Sequence, residues 1–254
     1  MENLTPPVLT TSQIDAFYKD GFLVARQMFD RRTMEAVAHW CDELVAMPEA
    51  PGRHWVYWEN SLNEPARKLI NRIENIAPFH TGFALLIEVL KKPVSQLLGE
   101  ESVLFKEKIN FKMPGGGGFK AHQDSQAGWD TYADFFISAL VSIDPSDELN
   151  GCLQMAAGQH TRGLFRAWEP LTEADMTGMR FVPCPTEPGD VIFFDCYAPH
   201  ASEPNTSDRV RRLYYATYNR LSAGDHMTRY YADKHKNYPP DIERDPKKQY
   251  IFRV

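Results

Sequence analysis

The sequence has 254 residues, of which 43% are hydrophobic, 12% aromatic and 24% charged, and its formal net charge is −6. This composition is typical of a globular protein and excludes disorder of the whole chain. Because no basic block offsets the acidic surplus, nucleic acid is disfavoured as a partner, whereas a small anionic ligand held by a few local cations is not.

The N-terminal residues carry neither the basic nor the apolar region of a secretory signal, and the apolar stretch FALLIEVL is too short to cross a membrane. None of the four cysteines forms a C-x-x-C pair, so a zinc knuckle is not indicated. We therefore expect a reduced, cytoplasmic protein with no membrane partner. The sequence leaves the oligomeric state open.

The first part of the chain, residues 1–101, is predicted to be mainly helical after an extended lead at residues 1–10. Thr11 or Ser12 can cap a short helix that ends at Gly21, and FLVARQMF then reads as a short strand or turn. After Asp30, apolar residues recur at helical spacing and predict a second helix.

Three further segments complete this part. Residues 51–62 read as an aromatic-rich loop, and ARKLINRIENI is compatible with either a helix or a strand. HTGFALLIEVLKK predicts a helix that Pro93 interrupts, with VSQLL continuing to Gly99.

From residue 102 to residue 222 the pattern is that of strands. VLFKEKINFKM alternates, with polar side chains at Lys106, Lys108, Asn110 and Lys112 and apolar ones at Val103, Phe105, Ile109, Phe111 and Met113. FFISALVSI, NGCLQMAAGQH, FVPCPTEPGDVIFFDCYAPH and VRRLYYATYNRL predict further strands, and residues 223–254 a covering, partly helical tail. We predict one α+β domain over residues 1–254, built on a β-sandwich or barrel.

The glycine run at residues 115–118 lacks the Gly-Lys-Ser/Thr ending of a phosphate-binding loop and does not lead into a helix. It is predicted to be a flexible turn. Directly after it, His122 and Asp124 stand two residues apart on a strand edge and point to the same side. Such a pair can supply two ligands of a non-haem iron site, although His-x-Asp alone is common.

A third ligand is predicted at His200, which follows the strong strand pattern GDVIFFDCYAP. Two histidines and one carboxylate occupy one face of an octahedral metal and leave the other positions open for substrate and oxygen. Downstream, Arg211 shares a strand face with Leu213 and Tyr215, and its guanidinium can hold the distal carboxylate of an organic acid that chelates the metal.

The motifs AHQD, NGCL, GDVIFFDCYAPHASEPNTSDRVRR and KDGFLVAR resemble those of the phytanoyl-CoA dioxygenase family of Fe(II)/2-oxoglutarate oxygenases. The resemblance runs from Ile14 to Tyr231. It implies a mainly β fold with flanking helices, namely a double-stranded β-helix, or cupin-like jelly roll, whose core is residues 102–222. It also implies that Fe(II) is bound by His122, Asp124 and His200.

The same resemblance assigns binding of the co-substrate 2-oxoglutarate to Arg211, with Ser202 and Gln123 at positions that often contact it. The polar strand before His122 is similar to that of the ectoine hydroxylase branch, which implies that Lys108 and Asn110 lie beside 2-oxoglutarate. A tryptophan after the aspartate touches the substrate in that branch. Trp129 is its nearest counterpart here, displaced by one residue.

The reaction implied is hydroxylation of an unactivated C–H by O₂, with release of succinate and CO₂. Halogenases of this group replace the carboxylate with Ala or Gly, so the presence of Asp124 favours hydroxylation. The polar strand face indicates a small charged substrate. An acidic group can be held by Lys106 or Lys112, by Arg67 or Arg72, and by Gln126, while aromatic faces can meet a cationic amine. The aromatic candidates are Tyr57, Trp58 and Trp129, with Trp55 and Tyr132.

A small zwitterion fits these contacts, and the chain is similar to family members that hydroxylate 2-aminoethylphosphonate at the carbon next to phosphorus. Two alternatives stay open. One is a hydroxylase of a coenzyme A ester or a secondary metabolite, although the chain lacks the extended basic patch that coenzyme A favours. The other is a non-catalytic jelly-roll sensor that retains a metal site.

Overall fold

The structure is a computed structural model, and it describes residues 6–251. Within that range the chain forms four α-helices and eleven β-strands. The helices are α1 (Thr11–Asp20), α2 (Arg31–Ala46), α3 (Thr81–Leu98) and α4 (Met227–Asn237). The expected extended lead at residues 1–10 lies partly outside the described residues.

The strands form two antiparallel sheets, a seven-stranded one in the order β1-β9-β6-β11-β4-β3-β2 and a four-stranded one in the order β5-β10-β7-β8. The large sheet contains β1 (Phe22–Ala25), β2 (Trp55–Asn60), β3 (Lys68–Glu74), β4 (Ser102–Lys112), β6 (Phe136–Ser142), β9 (Val191–Asp195) and β11 (Arg211–Arg220). The small sheet contains β5 (Phe119–His122), β7 (Leu153–Ala156), β8 (Phe181–Cys184) and β10 (His200–Ser202).

The two faces of the large sheet are covered differently. Ile109, Val141 and Tyr214 lie on the face that packs against α1, α2 and α3 in the main apolar cluster. Leu140 and Leu213 lie on the opposite face and pack against Met155 and other side chains of the small sheet. The result is a helical layer over a two-sheet jelly roll, as the sequence predicts. The polar side chains of β4 and β11 point into the space between the two sheets.

The first two helices begin and end largely as their capping residues predict. Asp30 caps α2 by accepting the Thr33 N–H at 2.8 Å, and Gly21 ends α1 with a left-handed φ of 81°. The cap of α1 is Thr10 rather than Thr11 or Ser12. Thr10 is favoured because Gln13 completes a reciprocal capping box with it.

Three expectations for the N-terminal part were wrong or incomplete. The expected aromatic loop at residues 51–62 contains β2, and the ambiguous segment after it is β3, so both join the large sheet beside β4. Helix α3 continues through Pro93, where a break was expected. Tertiary packing explains this continuity, because α3 buries Pro93 together with Val94 and Leu97. The boundaries at residues 101 and 222 stay predictions.

The expected alternation in β4 is broken by a bulge. The register with β11 shifts between the pairs Thr217–Lys106 and Tyr218–Leu104, which leaves Phe105 as the extra residue. Phe105 therefore does not share the helix-facing side with Ile109. It packs instead against Trp129 and other aromatic side chains next to the predicted site.

The glycine turn at residues 115–118 is fixed by hydrogen bonds to Asn205 and Glu59. Gly115 N–H donates to Asn205 O at 3.0 Å, and Asn205 N–H donates to Gly116 O at 3.0 Å. Gly117 N–H donates to Glu59 Oε2 at 3.3 Å. The turn carries the chain from β4 in the large sheet to β5 in the small one.

No helix within residues 6–251 is long and apolar enough to cross a membrane.

The contact between α2 and α3 provides a test of the packing. A Cβ added at Gly82 would lie 2.5 Å from Cδ2 of the Trp40 indole. We expect Gly82→Ala to lower the free energy of unfolding by about 1–3 kcal/mol, because overpacking outweighs the gain in helix propensity. Urea unfolding measures this change. The Ala should cost much less in a Trp40→Leu background, and an equal cost in both backgrounds would contradict the explanation.

Candidate metal centre and active site

His122 and His200 are brought together by strand pairing. His122 is the last residue of β5, His200 is the first of β10, and the two are direct partners in the antiparallel register. Asp124 opens the 3₁₀ turn that follows β5. His122 Nε2 and His200 Nε2 lie 3.9 and 3.8 Å from Asp124 Oδ1. These distances are too long for hydrogen bonds and suit three ligands around one metal ion.

The second ring nitrogen of each histidine is held by the backbone. His122 Nδ1 lies 2.7 Å from Lys120 O, and His200 Nδ1 lies 3.0 Å from Ala198 O. A neutral imidazole that donates from Nδ1 presents its Nε2 lone pair to the centre of the three groups. Burial, and then the neighbouring His200, lower the pKa of His122 to about 3, so the ring is neutral at physiological pH.

The predicted co-substrate residues lie on the inner faces of neighbouring strands. Arg211 is 2% exposed, stands opposite Lys112 in the β11–β4 register, and pairs with no carboxylate among the described residues. Its Nε has no hydrogen-bond partner there. A buried cation of this kind fits the carboxylate of 2-oxoglutarate, because an unpaired buried charge is costly.

Lys112, which was a candidate to hold an acidic group of the substrate, supports this region from β4. Its Nζ donates to Ser202 Oγ at 2.8 Å and to Glu203 O at 2.5 Å. Since Ser202 Oγ accepts that bond, its own hydroxyl hydrogen is available to a ligand. Burial, and then the nearby Arg211, lower the pKa of Lys112 to about 6.

Lys108 and Asn110 lie on the same inner face of β4. Lys108 Nζ lies 5.0 Å from the Tyr215 ring centroid, and the Asn110 Oδ1 has no hydrogen-bond partner in the described structure. Burial, followed by Lys106 and Arg72, lowers the pKa of Lys108 to about 7. The structure thus brings the predicted co-substrate residues of β4 to the space between the sheets.

A cavity of about 500 Å³ adjoins the three ligand residues. It is lined by Lys106, Lys108 and Trp129 of the predicted site, and also by side chains that were not among the predicted site residues. Arg72, which was a candidate to hold an acidic group, also lines the cavity. The lining side chains without a predicted role include Glu74, Trp168, Tyr230, Asp233 and Lys234.

Glu74 organises part of this cavity. Its carboxylate pairs with Arg72 Nε at 2.9 Å and with Lys234 Nζ at 2.5 Å, and all three side chains are largely buried. Burial works to raise the pKa of Glu74, but Lys234 and Arg72 outweigh it and hold that pKa at about 2. Lys234 comes from α4 in the tail and Glu74 from β3, so no local sequence pattern links them.

Gln123 and Gln126 were predicted to bind co-substrate and substrate, but their amides are engaged elsewhere. Gln123 Nε2 donates to Gly163 O and Tyr197 O, at 2.8 and 2.7 Å. Gln126 Oε1 accepts the Gln123 N–H at 2.7 Å, and its Nε2 donates to Glu169 O at 2.7 Å. Both side chains are fully buried and bind backbone rather than line the cavity.

The expected aromatic contacts with an amine also need correction. Lys106 Nζ lies 4.0 Å from the Trp129 centroid, and Arg72 Cζ lies 4.5 Å from the Tyr57 centroid. Protein cations therefore already cover these rings. Tyr57 and Trp58 line an adjoining groove of about 360 Å³ that also reaches His122, and the Trp58 indole N–H donates to Glu49 at 3.2 Å.

Comparison with known proteins identifies the family. The family model described as phytanoyl-CoA dioxygenase matches residues 17–213. The chain belongs to the phytanoyl-CoA dioxygenase family. Its members in this comparison include a 2-aminoethylphosphonate dioxygenase of the uncultured bacterium HF130_AEPn_1, which is 38% identical over 95% of this chain and 93% of the relative.

One further relative and one solved structure are also similar to this chain. A methylphosphonate hydroxylase of Gimesia maris is 34% identical over 91% of this chain and 88% of its own. The crystal structure of EctD from S. alaskensis with 2-oxoglutarate and 5-hydroxyectoine has a TM-score of 0.73 at 24% identity, over 88% of this chain and 79% of that one. The second similarity supports the jelly-roll fold.

As a member of the phytanoyl-CoA dioxygenase family, the chain is a dioxygenase that uses iron and 2-oxoglutarate, with O₂ as co-substrate. The cofactors predicted from the sequence are thereby confirmed. The side chains present fit both groups. Two neutral imidazoles and a carboxylate suit iron, and the partnerless Nε of the buried Arg211 suits the co-substrate.

The proximity of the three ligand residues predicts that metal binding stabilises the fold. We expect anaerobic Mn(II) or Fe(II) to raise the melting temperature, with about 2.7 kcal/mol gained at a metal concentration 100 times Kd. His200→Ala should lose most of this gain, whereas His39→Ala should keep it, because His39 lies exposed on α2 and pairs with Glu43. Equal metal shifts in the two variants, measured by thermal unfolding, would contradict the ligand assignment.

Proposed function

We propose that the protein hydroxylates a small phosphonate at the carbon next to phosphorus, with 2-aminoethylphosphonate as the first candidate substrate. One observation carries the proposal. Lys106 and Lys108 line the cavity beside Asp124, and neither forms an ion pair with a carboxylate within the described range. Two such cations next to the ligand residues suit a compact dianion.

In this proposal His122, Asp124 and His200 hold the iron. Arg211 binds the distal carboxylate of 2-oxoglutarate, and the Ser202 hydroxyl adds a donor. Bound iron, 2-oxoglutarate and O₂ supply the oxidising chemistry that converts a C–H bond into C–OH, with succinate and CO₂ as the other products. The chain itself contributes binding, orientation and exclusion of water.

Orientation of the substrate follows from the charges of the cavity. Lys106 and Lys108 attract the phosphonate, and Arg72, held by Glu74, adds a third cation to the same wall. The short phosphonate then keeps its neighbouring carbon close to the ligand residues. Trp129, Phe105 and Tyr230 pack around this end of the cavity and keep water from it.

The amine of 2-aminoethylphosphonate meets a carboxylate rather than an aromatic face. Asp233 on α4 lines the cavity, and its Oδ2 accepts from the Tyr132 hydroxyl at 2.8 Å. The nearby rings are already covered by protein cations, as described above for Trp129. The 38% identical relative, described as a 2-aminoethylphosphonate dioxygenase, supports the same substrate.

The co-substrate assignment predicts a specific defect. Arg211→Lys should raise the KM for 2-oxoglutarate at least about tenfold, because an ammonium cannot form the bidentate contact of a guanidinium. Arg209→Lys is the matched control, since Arg209 lies on the surface and pairs with Asp147. Succinate release at varied 2-oxoglutarate measures both values. A KM that is unchanged in Arg211→Lys would remove this residue from the co-substrate site.

Turnover of candidate substrates tests the function directly. The enzyme with Fe(II), ascorbate, O₂ and 2-oxoglutarate should convert 2-aminoethylphosphonate to its 1-hydroxy product, with succinate formed in equal amount. Phosphorus NMR and chromatography quantify the two products. Turnover of acyl-coenzyme A esters alone would favour the alternative substrate class, and binding of iron and 2-oxoglutarate without any turnover would favour a sensor.

Substitution of one cavity lysine and of one surface lysine tests whether the cavity binds the phosphonate. Lys106→Met should raise the KM for the phosphonate about tenfold or more, as expected for loss of a charged contact at a partly buried site. Lys92→Met removes an exposed lysine of α3 and should leave that KM unchanged. If both variants retain the wild-type KM, Lys106 does not bind the substrate.

A further inference from the structure

Trp168 stands between two adjoining spaces. It lines the cavity of about 500 Å³ that contains the metal-ligand residues, and it also lines the groove of about 360 Å³ beside it. The groove continues past Trp58 and Pro170 towards the surface. The residues that line both spaces are Arg72, Phe119, His122, Trp168 and Tyr238.

The backbone at Trp168 is held in an uncommon conformation. Its φ is 67°, in the left-handed region that residues other than glycine rarely adopt. Its N–H donates to Gln126 O at 2.7 Å, and the carbonyl of the next residue, Glu169, accepts from Gln126 Nε2 at 2.7 Å. One buried glutamine therefore fixes the peptide unit before Trp168 and the peptide unit that follows Glu169.

A second glutamine fixes the start of the same segment. Gln123 Oε1 accepts the Phe165 N–H at 2.8 Å, and its Nε2 donates to Gly163 O at 2.8 Å. Gln123 and Gln126 flank Asp124, and each is 0% exposed. The segment 163–169 is thus tied to the turn that carries a predicted metal ligand.

Gly128 provides the space for the indole. Its φ is 73°, and a Cβ added there would lie 2.5 Å from Cζ2 of Trp168. The indole therefore lies directly against the Gly128 backbone, and this contact leaves no room for a side chain at position 128. Trp168 itself is 45% exposed, so its ring is a boundary rather than part of the core.

We propose that Trp168 limits the size of the substrate, and that Gln123 and Gln126 are positioning residues that hold it at the boundary. With the indole in place, the space beside His122 and Lys106 fits a short phosphonate. Without it, the cavity opens into the groove and admits a longer chain and more water. This inference rests on the proposed phosphonate substrate and adds the residue that sets its length.

The experiment compares Trp168→Ala, Trp168→Phe and the control Leu164→Ala, which truncates an exposed side chain of the same segment. The substrates are 2-aminoethylphosphonate and 3-aminopropylphosphonate. In Trp168→Ala the ratio of kcat/KM values should shift about tenfold towards the longer substrate, the size of effect that one methylene produces in a fitted pocket. Succinate formed per hydroxylated 2-aminoethylphosphonate should rise as water enters. Trp168→Phe should give a smaller shift in both, and Leu164→Ala none.

Two substitutions test the positioning. Gly128→Ala should displace the indole and change substrate preference in the same direction as Trp168→Ala. Gln126→Leu should change substrate preference in the same direction. In a Trp168→Ala background Gln126→Leu should have little further effect on that preference, because both substitutions act through the Trp168 side chain. Additive effects of Gln126→Leu and Trp168→Ala would overturn the positioning role.

Failure of this inference is distinguishable from failure of the proposed function. If the wild type hydroxylates phosphonates but Trp168→Ala and Trp168→Phe keep its substrate ratio and coupling, the inference is overturned and the function stands. If the wild type hydroxylates neither phosphonate, the function fails. Succinate release without substrate then still tests the boundary, since Trp168→Ala should raise it severalfold and an unchanged rate would overturn the inference.

Discussion

The pairing of β5 with β10 fixes the geometry on which the rest of the site depends. It places His122 directly opposite His200, with ring centroids 4.2 Å apart, and each ring is oriented by a backbone carbonyl through Nδ1. Both strands are short, so the surrounding structure must hold them. After the bulge between His200 and Ser202, the Ser202 hydroxyl lies next to Lys112 and accepts a hydrogen bond from it. Asp124, in the turn after β5, is the third candidate ligand.

The charges of the large sheet complement that metal centre. Lysines on the inner face of β4 are buried at a cost, which lowers the pKa of Lys108 to about 7. The fold balances only part of this charge, through Glu74 and its contacts with Arg72 and Lys234. Because Asp124 is the single carboxylate among the three candidate ligands, this surplus of cations would destabilise an empty cavity and favour an anionic ligand.

The sequence predicted that His122, Asp124 and His200 come together, which segments of the second half form strands, and, through the family resemblance, the jelly roll. These predictions succeeded because the polar face of β4 follows a period of two and because His122 and Asp124 are close in sequence. Asp124 was expected on the strand edge, but β5 ends at His122 and Asp124 opens the turn that follows. The bulge at Phe105 was missed, since a single extra residue leaves no mark on an alternating pattern. Its consequence is that the ring joins the aromatic wall of the site.

Other parts of the site could not be read from local patterns. Glu74 and Lys234 meet only because α4 folds back against β4 of the large sheet, next to β3, so their pairing depends on contacts far apart in sequence. Gln123 was a candidate because it matches a position that often contacts the co-substrate, and Gln126 because its amide can hold an acidic group. Their amides instead satisfy backbone groups of the segment that carries Trp168, a role that only the folded loop shows.

The central claim is that the phosphonate binds on the β4 lysines beside the three ligand residues. The most direct measurement is electron–nuclear double resonance at phosphorus, on the anaerobic enzyme loaded with Mn(II), 2-oxoglutarate and 2-aminoethylphosphonate. We expect a resolved phosphorus coupling to the metal that weakens in Lys106→Met. Saturating phosphonate with no phosphorus coupling, while 2-oxoglutarate is bound, would contradict the account.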